Sequence, residues 1–310
     1  MNVLVTGGTG FVGREVVRQL CAAGHKVRLI SRHPRRASTA SQAAQPATPF
    51  ALPPEAVGGN VLEPASLKGA AGNCDAIVHL VGIISEIGEQ TFENVHFHAT
   101  QNVLAEAKRA GVKRWIHMSA IGARPDAPSR YHQTKWAAEE TVRASGLDWT
   151  IFRPSIIYGP GDGFISLFAR ISRWSPVLPV MGNGRNLLQP VAVADVARCF
   201  VSALTEPASV GKTLDLCGPE RLSFDQVLET ILRVTQRRRL KLHVPMPLAR
   251  LQAAVLEKLF PLVLRQAPPL NRDQLLMLRE DNVGDGRAAE ELFGVELRRF
   301  STEIHASLAP

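Results

Sequence analysis

The sequence predicts an α/β fold, a doubly wound parallel sheet with a smaller C-terminal lobe. Three observations lead there. Short apolar runs alternate with longer stretches at helical spacing through the first two-thirds of the chain. Three spaced glycines separate the first such run from the first amphipathic stretch, and Pro/Gly-rich segments after Arg153 mark a crossing into a second lobe. At 310 residues the chain exceeds one average domain, and its apolar share of 45% is ample for a core, so one large unit with an appendage is expected. The expected division is 1–160 for the core, with a return segment at about 187–205, and 161–186 with 206–310 for the smaller lobe.

The expected strands are Asn2–Thr6, Lys26–Ser31, Ala76–Val81, Trp115–Ser119 and Trp149–Arg153. The expected helices between them are Phe11–Ala23, Val95–Ala110 and Tyr131–Ser145. Right-handed crossovers put these helices on both faces of the sheet. Ala37–Pro54, built from Ala, Ser, Thr, Gln and Pro, carries neither period and reads as a loop or a poorly formed crossover helix. Leu188–Phe200 reads as the return to the core, with a strand ending near Val193 and Asp195 capping the helix that follows.

Cys21, Cys74, Cys199 and Cys217 lie far apart without metal-ligand spacing and read as buried free thiols of a reducing compartment. Met1 runs directly into the first strand, with no basic and long apolar leader, which suggests a cytoplasmic chain. No uncharged apolar run reaches the ~18 residues of a membrane span.

The run Val3-Leu4-Val5-Thr6 is followed by Gly7-Gly8-Thr9-Gly10-Phe11-Val12-Gly13 and an amphipathic helix. The glycines fit G-x-x-G-x-x-G or G-x-G-x-x-G, and in either register the chemistry is the same. One allows the tight turn, one admits a diphosphate close to the backbone, and Gly13 lets the helix pack on the sheet, as in a Rossmann dinucleotide fold. Free N–H groups at the helix start face the phosphates. Gly7, Thr9, Gly10, Phe11, Val12 and Gly13 are the candidate residues.

The second strand ends without the carboxylate that would hold the ribose diol of NAD; from Val16 to Pro54 there is no acidic residue. Ser31, Arg32, Arg35 and Arg36 stand there instead, and guanidinium groups suit a 2′-phosphate. NADP(H) is therefore the preferred cofactor, with NAD(H) compatible.

Trp115-Ile116-His117-Met118-Ser119 ends a strand on a hydroxyl residue, and Tyr131 and Lys135 share one face of a following helix. A phenol beside an ammonium can exchange a proton near neutral pH. The same pair also fits an ordinary solvent-facing helix start.

With the glycine turn, Tyr131-x-x-x-Lys135 and Arg153-Pro154-Ser155-Ile156-Ile157-Tyr158-Gly159-Pro160, the chain resembles the short-chain dehydrogenase/reductase superfamily, in its extended and atypical branches. Gln189–Ala197, Cys217–Glu220 and Leu278–Val283 are most similar to the atypical branch related to the NADPH-binding accessory subunit of respiratory complex I. The resemblance implies that Ser119 orients a substrate, that Tyr131 is the general acid/base, and that Lys135 stabilises the phenolate and holds the nicotinamide ribose. It also implies that Asn60 and Val61 border the adenine, although the family usually has Asp at the first of these. Leu80, Val81 and Gly82 would pass behind the cofactor ribose, and Pro154, Ser155, Ile156 and Ile157 would wall the nicotinamide. Two functions follow from it: an oxidoreductase for a carbonyl/hydroxyl substrate, or a non-catalytic NADPH-binding module of a respiratory-type membrane complex.

Other residues have simpler readings. His79 and His117 read as satisfied interior imidazoles, His96 and His98 as core or surface histidines, and Trp136, Trp149 and Trp174 as core or cleft-wall aromatics. No metal site is expected. The net charge of +8 is concentrated in residues 231–272, which hold nine Lys/Arg against Glu257 alone. This stretch suits the anionic inner face of a membrane or an acidic protein partner, with Pro247–Phe260 as an interfacial helix. Its leucines suit a lid on the substrate lobe equally well. Regular aromatic spacing for nucleic acid is missing.

Overall fold

The computed structural model describes residues 1–34, 53–264, 268 and 270–308. Arg35, Arg36, Arg265 and nearly all of the 37–54 stretch, with the readings placed on them, lie outside the described residues.

A parallel sheet carries the core, in the order β11-β6-β5-β4-β1-β2-β3. Its strands are β1 (Asn2–Thr6), β2 (Lys26–Ser31), β3 (Glu55–Gly58), β4 (Ala76–His79), β5 (Arg114–Met118), β6 (Asp148–Pro154) and β11 (Lys212–Leu216). Alternation along β1 shows how the two faces are filled. Val3 and Val5 join Val16, Leu20, Val196 and Phe200 on one side, while Leu4 joins Ile77, Leu104, Trp115 and Ile151 on the other. The first side is covered by α1 (Phe11–Ala22). The second is covered by α2 (Ala99–Arg109), entered through a π-helical turn at Glu93–His98, and by α3 (Arg130–Arg143). The doubly wound parallel sheet is thus as expected, with two strands added.

Past β6 come β7 (Ile157–Tyr158), α4 (Ile165–Trp174), β8 (Val177–Met181), β9 (Leu187–Leu188), β10 (Val191–Ala192) and α5 (Val193–Ser202). After β11 follow β12 (Leu222–Ser223), α6 (Phe224–Val234), β13 (Leu240–Val244), α7 (Met246–Leu264), α8 (Arg272–Met277), α9 (Arg287–Phe293) and α10 (Phe300–Leu308). Three two-stranded pairs, β7/β10, β8/β13 and β9/β12, stitch this half together. A second apolar cluster gathers Tyr158, Ile165, Phe168, Leu178, Phe224, Ile231 and Phe300.

Several expectations need correcting. Lys212–Leu216, assigned to the smaller lobe, is a strand of the main sheet, in parallel register with Thr150–Pro154. Asp195 is not the cap of α5. It lies inside the first turn, fully buried, where it accepts from the Arg298 backbone N–H (2.8 Å) and pairs with its guanidinium (3.2 Å). Of the cysteines, Cys74 is only half-buried, while burial pushes the Cys199 and Cys217 thiols up to about 12. Trp174 is 80% exposed and belongs to no core. His79 is hydrogen-bonded, but both nitrogens of buried His117 lack a partner among the described residues.

Candidate functional site

The glycine turn is shaped by contacts that exclude side chains. Gly7 has φ +75°, and a Cβ there would lie 3.0 Å from the Leu80 carbonyl carbon and 3.1 Å from the Val81 nitrogen. A Cβ on Gly13 would fall 2.1 Å from the Gly7 oxygen. Gly10 begins α1 in extended conformation, without a side-chain cap. The N–H groups of Phe11, Val12 and Gly13 take no acceptor among the described residues, which leaves a row of donors at a helix N-terminus. These features fit a dinucleotide diphosphate.

The sheet's C-terminal edge continues the cleft. The Gly59 N–H donates to the Ser31 carbonyl (3.1 Å), bringing Asn60 and Val61 beside the end of β2. The Asn60 side chain is engaged locally: Oδ1 accepts from the Leu62 N–H (3.1 Å) and Nδ2 donates to Glu63 (2.7 Å). Arg32 is exposed at the same edge, and no ion pair holds it among the described residues.

Ser119 follows β5 directly, and Tyr131 and Lys135 lie in the first two turns of α3. Lys135 is 2% exposed, donates to the Met118 carbonyl (3.1 Å) and rests on Gly82, where a Cβ would lie 2.9 Å from Nζ. Burial lowers its ammonium to about 8, partly offset by Glu139. Ser119 Oγ, next in the chain, is buried and has no hydrogen-bond partner among the described residues. Such an orphaned hydroxyl fits a bound group that supplies the missing partner.

Tyr131 is held edge-on by His96 (5.2 Å between ring centroids) and Phe92 (5.9 Å). Desolvation and the Asp273 carboxylate push its phenol up to about 12. Here the residues differ from the expected phenolate stabilised by Lys135: the phenol is kept protonated and is a weaker acid than free tyrosine.

Beneath them runs a buried hydrogen-bonded chain that sequence reasoning missed. It passes from Thr6 to His79 (2.8 Å), from His79 to Thr100 (3.2 Å), from Thr100 to the His96 carbonyl (2.6 Å), and from the His96 ring to Thr134 (2.9 Å). Burial lowers His79 to about 3 and moves His96 in the same direction, so both imidazoles are neutral. The chain ties the glycine turn to the helix of Tyr131 and Lys135.

Three residues from the far end of the sequence complete the site. Asp273 accepts from the backbone N–H groups of Arg130 (2.8 Å) and Tyr131 (3.1 Å), capping α3 from outside it. Asn271 donates to the Ile84 carbonyl (3.1 Å). Asn282 Oδ1 accepts from Ser155 Oγ (2.7 Å) and the Ile156 N–H (2.9 Å), fixing the segment after Pro154; Ile157 then pairs with Val191. A capping pattern, Asn-x-x-Gln at Asn271 and Gln274, was the available signal for α8. A cavity of about 350 Å³ opens between the loop at Ile121, Gly122 and Arg124, the His132 ring and the 277–282 segment. The Arg124–Glu280 ion pair crosses it.

A glycine turn at the head of a doubly wound sheet, with free helix N–H groups and a buried lysine at the strand ends, defines a dinucleotide-binding protein of the oxidoreductase-like class. Residues 7–207 match the family model described as NAD(P)H-binding, and the chain belongs to that family. It is 29% identical over 288 residues to the Arabidopsis thaliana mitochondrial NADH dehydrogenase [ubiquinone] 1 alpha subcomplex subunit 9, covering 90% of this chain and 70% of that protein. The mouse protein of the same name is 30% identical over 264 residues, with 83% and 66% covered. A ceramide reductase of Caulobacter vibrioides is 34% identical over 211 residues, with 66% and 61% covered. The chain thus spans only about two-thirds of the length of these relatives. Among solved structures, a UDP-glucose 4-epimerase from Thermotoga maritima superposes with TM-score 0.75 at 18% identity, covering 99% of this chain and 97% of the other. At that identity the likeness concerns the fold.

Proposed function

We propose that this chain is an NADP(H)-dependent oxidoreductase acting on a carbonyl/hydroxyl substrate through Ser119, Tyr131 and Lys135. The observation that carries the reading is the orphaned Ser119 hydroxyl, buried one residue from the carbonyl that holds Lys135 Nζ. The dinucleotide, held at Gly7–Gly13, Arg32 and Lys135, supplies hydride when bound. Ser119 orients the substrate oxygen, Tyr131 passes it a proton that solvent returns to the phenolate, and Lys135 holds the ribose. The lobe built from 161–186 and from the residues after β11 supplies the substrate pocket, with the cavity at Arg124 and His132 as its polar end. The name of the ceramide reductase relative supports this reading.

The test is the nucleotide retained by the purified protein, identified by mass and absorbance, followed by NADPH oxidation against a panel of aldehydes and ketones. Turnover with at least one carbonyl is expected. NADPH retained without any turnover would favour the second reading, a nucleotide-holding module of a respiratory-type membrane assembly with an acidic subunit as partner, for which the names of the subunit 9 relatives speak. Either reading suits a cytoplasmic chain peripheral to the inner face of a membrane.

Preference for NADPH over NADH rests on Arg32 and on the lack of any acidic residue in the sequence from Val16 to Pro54. Arg32→Ala is expected to weaken NADPH binding by about 10-fold, the value of one charge-assisted phosphate contact, and NADH hardly at all. Titration of both nucleotides by fluorescence checks this, and equal affinities in the unaltered protein would refute the preference.

A further inference from the structure

The helix α7 carries an exposed apolar stripe. On an ordinary surface helix the large apolar residues face the core. In α7 the inward positions are the small residues Ala249 and Ala253, both fully buried against Leu275 of α8. Met246, Leu256 and Phe260 are partly buried, while four large ones point away: Leu248, Leu251, Val255 and Leu259 are 58%, 64%, 46% and 51% exposed. Their spacing of three, four and four residues makes them one stripe on the far side from the alanines.

Further large apolar residues are exposed in the segment next to the helix in the chain and just before the strand paired with that segment. β13, which leads into α7, exposes Leu240 and Leu242, and the Leu240 N–H bonds the Pro176 carbonyl, two residues past the exposed Trp174. Basic side chains border this surface. Arg238, Arg250 and Lys258 are exposed and form no ion pair among the described residues, and Arg173 lies over the Trp174 ring at 5.5 Å. The one acidic residue of α7, Glu257, is tied to Arg272 at 2.7 Å. Not all of the basic run is free: Arg237 and Arg239 donate to the carbonyls of Ala169 and Ser172 in α4, and Lys241 pairs with Glu229.

We propose that α7, with β13 and Trp174, docks on a bilayer that carries anionic lipid. Leucines for the acyl boundary, a tryptophan suited to headgroup depth and flanking cations together match the chemistry of that surface. The inference stands whether or not the chain turns over a substrate. It also reaches the site, since α7 packs on α8 and Asp273 of α8 caps the helix of Tyr131. The docked face is therefore one helix away from the candidate catalytic residue.

The test is flotation of the whole protein with phosphatidylcholine vesicles, with and without phosphatidylglycerol, at low and high salt. Binding that rises about 10-fold or more with phosphatidylglycerol and falls with salt is expected. Leu251→Gln with Val255→Gln should lower it about 10-fold, and Arg250→Gln with Lys258→Gln should remove most of its salt sensitivity. Unchanged melting temperature and NADPH affinity verify that these surface variants are folded. No dependence on phosphatidylglycerol, or undiminished binding by the Leu251/Val255 variant, overturns the proposal. So does concentration-dependent dimerisation, or capture of an acidic subunit, that the same variant abolishes without any vesicle binding in the unaltered protein.

Discussion

Tyr131→Phe is expected to lower turnover by about 100- to 10,000-fold, the range for losing a positioned general acid, while NADPH affinity changes by less than about twofold. The ring packs by its edges against His96 and Phe92, and its hydroxyl makes no hydrogen bond among the described residues. Phenylalanine keeps that packing, so the melting temperature should hold. The two readouts must separate: an intact fold and intact nucleotide binding with chemistry gone. Activity that survives would remove Tyr131 from the reaction and leave the nucleotide-holding reading in front.

Lys135→Met should make the nucleotide-free protein more stable at neutral pH. The folded-state value of about 8 lies below the ordinary 10.5, because Lys135 is buried. A base with a depressed pKa binds more protons unfolded than folded, so its unfavourable contribution is fully present below pH 8 and fades as pH rises towards 10.5. At pH 7 that contribution is about 3 kcal/mol. Methionine removes it but also loses the bond to the Met118 carbonyl, worth about 1 kcal/mol, for a net gain of about 2 kcal/mol or a few degrees in melting temperature. The gain should shrink at pH 10, and NADPH affinity should fall. A variant less stable at pH 7 would show that Lys135 is well compensated without nucleotide. A more stable variant with weakened NADPH binding would support a ligand-holding role for Lys135.

What could be read from the sequence follows from where each constraint resides. The β1–turn–α1 unit was legible because the steric reasons for Gly7 and Gly13 lie within a few residues of each other. β3 was not, since Glu55–Gly58 is short and only half-buried and follows a stretch without period. β11 escaped because Lys212–Leu216 finds its partner, β6, on the far side of α5. The Tyr131/Lys135 pair was placed correctly on one helix, but its surroundings were not foreseen: the capping carboxylate of Asp273 comes from 142 residues away. Trp174 was read as a core or cleft-wall aromatic, and the α7 leucines were left between an interfacial stripe and a lid, because an apolar residue in a pattern states only that it can be buried. On α7 the fully buried positions are Ala249 and Ala253.

The long reach of α8 and the segment after it bears on how the molecule is made. Asn271 bonds a residue 187 positions earlier, Asp273 one 143 earlier and Asn282 one 127 earlier. Loop-closure entropy grows only slowly with such distances, so equilibrium stability suffers little, but contacts of high sequence separation form late. During synthesis the strands and helices through α5 can assemble while the capping residues are still untranslated. An incomplete chain would then be able to capture dinucleotide at Gly7–Gly13 before the start of α3 is fixed. Nucleotide present in the cell would act as a scaffold for the nascent chain, and the ability to bind would precede the ability to react.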